Sequence, residues 1–215
     1  MNLHPKDFFD LSCFAHRSLF EGKRYVWEAL HGLKGYVDSL VSKQKNTLSL
    51  EGVLFENPEM IFLGKGVKVE KGAYIQGPCW IGDGTVIRSG AYVREYVLTG
   101  ENCVIGHGTE VKHSIFLDRA FAAHFNYVGD SILGNGVNLG AGAKCANLRF
   151  DHQMIRIRFE ESKIDTGLKK MGAILGDHAQ MGCNAVSNPG TLFLPNTTCA
   201  PCMNVRGVLI SSLKH

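Results

Sequence analysis

From Leu63 the chain sets an aliphatic residue at nearly every sixth position and a small residue four places later, often with a Gly between them. The phrases LGKGVK, VEKGAY, IQGPCW, IGDGTV, IRSGAY, VREYVL, TGENCV, IGHGTE, VKHSIF and LDRAFA follow without a gap, and LGNGVN, LGAGAK, LGDHAQ and MGCNAV continue the style. The aliphatic and the small residue both point inward, and each phrase is one short strand plus a bend. If each bend turns the chain by about a third of a revolution, three phrases close a coil and the fourth lies on the first about 4.8 Å higher. Residues eighteen apart then stack on one face, and backbone groups pair with the coils above and below. The period predicts a mainly β chain wound as a parallel β-helix prism.

Residues 1–45 carry no such phrase. Phe8, Leu11, Phe14 and Leu19, then Tyr25, Trp27, Leu30 and Leu33, recur at helical intervals, with Pro5 suited to a first turn and Gly22 and Gly32 marking breaks. This predicts a helical N-terminal segment that packs on the first coil as a cap or on a neighbouring subunit. Residues 46–215 form the β-helix domain, strand-like from Asn46 to Phe62 as the first coils begin. The phase holds from Leu63 to Val128, apart from one slip of four residues between Ala123 and Leu133. After Phe150 the phrase vanishes until Leu175, and the excursion at about 151–172 alternates as M-I-R-I-R-F, which predicts a hairpin thrown out from the coil.

Composition narrows the classes of function. At 215 residues, 45% hydrophobic and 20% charged, the chain is an ordinary globular protein, and its 25 glycines answer the repeat. A net charge of +3 is too weak to argue for nucleic acid or membrane partners, yet it suits a small anionic substrate. No stretch approaches the roughly 20 apolar residues of a bilayer span, and MNLHPKDFFD lacks the apolar core of a signal peptide, so the expected location is cytoplasmic. Of seven cysteines, Cys79, Cys103 and Cys199 fall at repeat positions that want a small or apolar residue and read as buried free thiols. Cys199 and Cys202 form a CAPC pair with no second pair at matching spacing, so no metal is expected.

Departures from the repeat carry the candidate chemistry. Arg94 and Lys112 hold the same second position of their phrases eighteen residues apart, which puts them on one edge, one coil above the other. Like charges stacked across strands oppose each other, and an anion between them would remove that repulsion; two solvated cations splayed apart are the plainer alternative. His124, also at a second position, falls on a different face, so a meeting with Arg94 and Lys112 requires a second chain. Taken alone it also reads as a satisfied turn histidine.

Six-residue phrases of this kind resemble the left-handed β-helix family, which supplies the handedness. EVKHS from Glu110, followed by AAHFNYVGDSILGNGVNLGAGAKCANLRFD up to Asp151, resembles the acetyltransferase domain of the bifunctional bacterial enzymes that make UDP-N-acetylglucosamine, whose pattern is EVK, AGHxxYxGD, GxxVNIGAG and CN. ANLRFD and IDTGLKKMGAILGD look more like the archaeal sugar-phosphate nucleotidylyltransferases that carry the same domain. The resemblance covers roughly Leu63 to Val205. It implies acetyl transfer from acetyl-CoA to the amine of a hexosamine 1-phosphate, with glucosamine 1-phosphate foremost, by a homotrimer with sites between prisms. It further implies that His124 is the general base and that Asn147 positions the reacting groups. Arg94, Lys112 and Tyr127 would hold the sugar phosphate and Asn138 the sugar, while Ala141, Asn147, Arg156, Cys183 and Pro201 would meet the cofactor.

The match also departs from the family. No Gly-rich GxGTRxxP-like stretch follows a first strand, so neither uridylyl transfer nor a need for Mg²⁺ is expected. A family lysine beyond Asn147 is Gln153 here, with Arg156, Lys169 or Lys170 as replacements for its charge. Cys183 stands for a serine and Pro201 for an alanine, and the family's basic C-terminal arm has no counterpart before His215. These changes keep a second reading open, a non-catalytic relative used in assembly or sugar-nucleotide sensing. A γ-class carbonic anhydrase would need three converging histidines, and His107 and His113 lie on successive faces with no third to match.

Overall fold

The computed structural model describes residues 2–43 and 48–213, so the expected boundary between residues 45 and 46 lies outside the described residues. Beyond it the chain winds as a parallel β-helix with three faces. The first stacks eight strands from Leu54–Glu56 to Asn204–Val205, the second eight from Ile61–Leu63 to Val208–Leu209, and the third seven from Lys68–Val69 to Thr198–Cys199. A strand of two or three residues has no partner in its own coil, so its amides and carbonyls pair upward and downward, as in Ile75↔Val93 and Val93↔Val111. Inside runs an aliphatic column that includes Ile75, Val93, Val111 and Val128 on the first face and Ile87, Ile105, Ala122 and Leu139 on the third, each no more than 2% exposed. Where coils approach most closely no side chain fits: a Cβ on Gly106 would lie 1.7 Å from the Ala123 carbonyl oxygen.

The slip in the repeat resolves into two shortened corners. Partners on the first face are eighteen residues apart at Tyr92↔Glu110, seventeen at Glu110↔Tyr127 and Tyr127↔Lys144, and eighteen again at Val186↔Asn204. Each missing residue is lost between the first and second faces, where His113 and Asp130 turn the chain with left-handed backbones, φ 43° and 48°. The first loss precedes the expected slip and moves the phase. Phe116, not Leu117, faces the inner column, and Leu117 joins the apolar layer outside the second face. The same loss shifts His124, which pairs in register with His107, two places beyond inward Ala122, rather than holding the second position of its phrase.

The N-terminal segment is neither an end cap nor regular helix throughout. Among the described residues of the segment only Glu28–Val41, here α1, is α-helical; Pro5–Asp7 and Arg17–Phe20 are single 3₁₀ turns, and Phe8 to Phe14 follow no helix. Gly22 does break the chain, with φ 70°, but Gly32 sits inside α1, where the Leu19 Cδ1 lies 3.5 Å from the place of its missing Cβ. The segment lies along the outside of the second face. Phe8, Phe14, Phe20, Trp27, Leu30 and Val37 join Leu98, Ile115, Ile132, Ile174 and Leu192 in a second core. Each fully buried Leu, Ile or Phe contributes about 1.5–3 kcal/mol relative to exposure, so the second face is held from both sides. Asp177 anchors the strap, accepting from the Asp10 amide at 2.8 Å, and its own amide donates to the Phe8 carbonyl at 2.9 Å.

The excursion is the expected hairpin, Arg156–Phe159 antiparallel to Ser162–Asp165. Ile155 and Ile157 join the same outer layer, and the Thr166 carbonyl lies 2.9 Å from His31 Nε2, which must therefore carry the proton. Cys79, Cys103 and Cys199 are buried free thiols, with Cys103 pushed up to about 12 chiefly by burial. Cys202 is exposed, so the two sulfurs of the CAPC pair occupy different environments. No described helix is long and apolar enough to cross a membrane.

Two outcomes follow from this packing. Phe116→Ala empties part of the inner column and lowers stability by about 3–5 kcal/mol in urea unfolding; a loss under about 1 kcal/mol would place the ring outside the coil. His16, wedged edge-on against Trp80 at 5.5 Å, is pushed down to about 4 by burial, against the opposing charge of Asp118. A lowered imidazole value means that the unfolded chain takes up the proton first. The contribution of neutral His16 is therefore complete above about 6.5 and is lost as pH falls from there towards 4. Stability measured across that window should fall in the wild type and fall less in His16→Gln; equal slopes would remove His16 as the cause.

Candidate active site

The corner between the first and second faces gathers four of the expected residues. Arg94 and Lys112 stack on successive coils there, with the Arg94 amide bonded to the Val111 carbonyl at 2.8 Å. Their mutual repulsion is relieved within the chain: Arg94 Nη1 lies 2.8 Å from Glu110 Oε1, and Lys112 Nζ lies 3.6 Å from Asp130 Oδ2. An anionic ligand is thus not required to hold the two cations together. The pairing on Arg94 is imperfect, because its Nε is buried and has no partner among the described residues. An unsatisfied buried donor costs about 1–3 kcal/mol, so a rotation that offers this edge to an acceptor is favoured once one arrives.

One coil up, Tyr127 stands over Glu110, and its hydroxyl reaches Asn147 Oδ1 at 3.5 Å. Burial, then the charges of Glu110 and Asp130, raise the phenol above its ordinary value, so it is a neutral donor. Asn147 Nδ2 donates to Asp130 Oδ2, and His113 Nδ1 meets Asp130 Oδ1 at 3.1 Å. Burial acts to raise the Asp130 carboxyl, but the bonds from His113 and Asn147 and the Lys112 charge outweigh it and hold it below the ordinary carboxylate value. Gly129 leaves the room: a Cβ there would lie 2.7 Å from the Tyr127 hydroxyl and 2.8 Å from Asn147 Nδ2. Glu110, His113 and Asp130 are the members that sequence reasoning missed. Asp130 stood in the phrase YVGD where the phase slips, and a seventeen-residue count from His113 would have reached it.

The other expected residues, Arg156 apart, lie along the third face and its corner with the first. His124, exposed, ends the strand Phe121–His124, and Asn138 pairs with Phe121 one coil higher. Ala141, Cys183 and Pro201 continue upward from His124, as the bonds Gly142 amide to His124 carbonyl, Asn184 amide to Ala141 carbonyl and Cys202 amide to Cys183 carbonyl show, all 2.8–2.9 Å. The residues assigned to base and cofactor, other than Asn147 and Arg156, therefore form one column. The strand Tyr127–Gly129 separates it from Arg94 and Lys112, so one chain does not bring base and cations together. Arg156 joins neither group; it pairs with Asp165 across the hairpin at 3.4 Å.

The model of the GMPPB C-terminal domain matches residues 75–210, more than half of the chain and the whole of both corners. The chain belongs to the GMPPB C-terminal domain family. The chain is also 33% identical over 170 residues to the uncharacterized acetyltransferase YaiX of Escherichia coli, covering 79% of this chain and 74% of that one. Over 81 residues, 38% of the chain, it is 40% identical to a bifunctional sugar-1-phosphate nucleotidylyltransferase/acetyltransferase of Sulfurisphaera tokodaii, of whose length the match spans 20%. Among solved structures, the UDP-N-acetylglucosamine acyltransferase of Campylobacter jejuni aligns at a TM-score of 0.39 and 14% identity over 76% of this chain and 68% of that one, a likeness too loose to carry an argument. This member of the GMPPB C-terminal domain family thus has acetyltransferase-named relatives.

Proposed function

We propose that the chain is an N-acetyltransferase that moves the acetyl group of acetyl-CoA to the amine of a hexosamine 1-phosphate, glucosamine 1-phosphate foremost, on the way to UDP-N-acetylglucosamine. The observation that carries this reading is the gathering of Arg94, Lys112, Tyr127 and Asn147 at one corner, which offers a polar ligand two cations, a neutral hydroxyl and an amide. A phosphate dianion suits Arg94, which can present two parallel donors, while Lys112 adds a point charge. The sugar-1-phosphate named in the Sulfurisphaera relative has the same chemistry.

In the reaction the amine nitrogen attacks the thioester carbonyl carbon, the new C–N bond forms, the C–S bond breaks, and the sulfur leaves as a thiolate. His124 takes the proton lost by the nitrogen and returns it to that thiolate; an exposed imidazole, with one ring nitrogen to accept and one to donate, is suited to both steps. The column above it, with small Ala141 and Cys183, leaves room for a slender acyl carrier. Since His124 and the cations occupy opposite edges of the first face, we place each site between the His124 edge of one prism and the Arg94 edge of the next. A closed ring of three prisms satisfies every seam.

The second reading, a non-catalytic relative serving assembly or sugar-nucleotide sensing, draws on the carboxylates that already pair with Arg94 and Lys112 and on the pairing of Arg156 with Asp165 across the hairpin. Thiol release from acetyl-CoA in the presence of glucosamine 1-phosphate separates the two. The acetyltransferase reading expects turnover by the wild type and a fall of about 10²- to 10⁴-fold in His124→Ala. No release favours the second reading, whereas equal release from both proteins removes His124 as the base. Light scattering should give a trimer, and a monomer would remove the seam.

A further inference from the structure

Asp130 is a buried carboxylate of this corner that the proposed chemistry leaves without a task. We propose that it is the positioning residue of the site, fixing the sense of the Asn147 amide. The inference rests on the acetyltransferase reading for its kinetic consequence, but not for its structural one.

An asparagine amide has a donor end and an acceptor end that differ little in shape, so its neighbours decide which end faces where. Asp130 is acceptor-only when ionised, and its Oδ2 faces Asn147; the amide must therefore present Nδ2 to it. Asn147 Oδ1 is then turned to the Tyr127 hydroxyl side, at 3.5 Å. That leaves a carbonyl oxygen beside the proposed sugar pocket, able to accept an N–H of the incoming amine and orient its lone pair for attack. With the opposite sense, Nδ2 would point at the amine and donors would oppose donors.

The carboxylate itself is held on every side. Its Oδ1 meets His113 at 3.1 Å, its Oδ2 is 3.6 Å from Lys112, its amide donates to the Lys112 carbonyl at 3.0 Å, and its carbonyl accepts from Gly172 at 2.8 Å, where the excursion rejoins the coil. The left-handed backbone at φ 48° aims the short side chain back across the corner. Asn is among the residues that tolerate this conformation, and Gly adopts it freely, so both Asp130→Asn and Asp130→Gly keep the turn.

The test takes steady-state kinetics with acetyl-CoA and glucosamine 1-phosphate together with crystal structures of the wild type and of either variant that folds. We expect kcat to fall by about 10²-fold, the usual effect of a misplaced reacting group, while KM for the sugar phosphate stays within about threefold because Arg94 and Lys112 remain. Asp130→Asn added to Asn147→Ala should lose little more than Asn147→Ala alone, and the variant structures should show the Asn147 amide turned or displaced. A kcat within about threefold of wild type, multiplicative effects in the double variant, or an unmoved Asn147 each overturn the proposal; a shift in melting temperature alone would mark a structural role. A wild type without turnover sinks the acetyltransferase reading instead, and the position of Asn147 in the variant structures still decides whether Asp130 holds it.

Discussion

A two- or three-residue strand cannot satisfy its own amides and carbonyls, so each coil of this chain is stable only when the coils above and below present matching groups at the right height. That requirement ties each strand position to a partner one coil away, seventeen or eighteen residues along the chain at Glu110 and its neighbours and forty-two across the excursion, whatever its side chain does. Inward residues follow from it, and so do the outward columns. Arg94 beneath Lys112, and His124 beneath Ala141, are neighbours because the backbone pairs there. Where a corner loses a residue, the ladder keeps its pairing and the turn tightens instead, and the two residues at those turns, His113 and Asp130, meet one another.

The tightened corners also set the electrostatics. An ordinary outward position on a prism of this kind is solvated, and exposed ion pairs there contribute little. Asp130 is different, being 9% exposed and bonded to three side chains, so its charge is held in a medium where it orders its neighbours. Arg94, on the coil below Lys112, is bonded to Glu110 instead, with a partner for one nitrogen and none among the described residues for another. The corner thus combines a rigid half, from Asp130 to Asn147, with a cation able to change partner.

Much of the plan was legible in the residues. The six-residue period announced the coil, the alternation after His152 announced the hairpin, and Gly22 announced a break. Three features were misread for physical reasons. A lost residue at the first tightened corner leaves two adjacent apolar residues, Phe116 and Leu117, as candidates for the inner column, and the pattern alone prefers the wrong one. The pairs Val97–Leu98, Ile115–Phe116, Ile132–Leu133, Ile174–Leu175 and Leu192–Phe193 show that the second face is apolar on both sides, a signal of outside cover that the repeat obscured. Phe8, Phe14 and Leu19 imitate helical spacing because they bury against a flat sheet from an irregular strap.

The order of residues was enough for the coil, its three faces and the stacking of Arg94 on Lys112, since all of these depend on backbone period and inward size, which are local and repeat. It was not enough for what lies against the second face, for the carboxylates that neutralise the cations, or for the Asp130 clamp. Those depend on segments far apart in the chain meeting at one height, and on single-residue losses at corners. A period reports what recurs, whereas these contacts arise where the recurrence is broken, and only the folded chain shows where each break is absorbed.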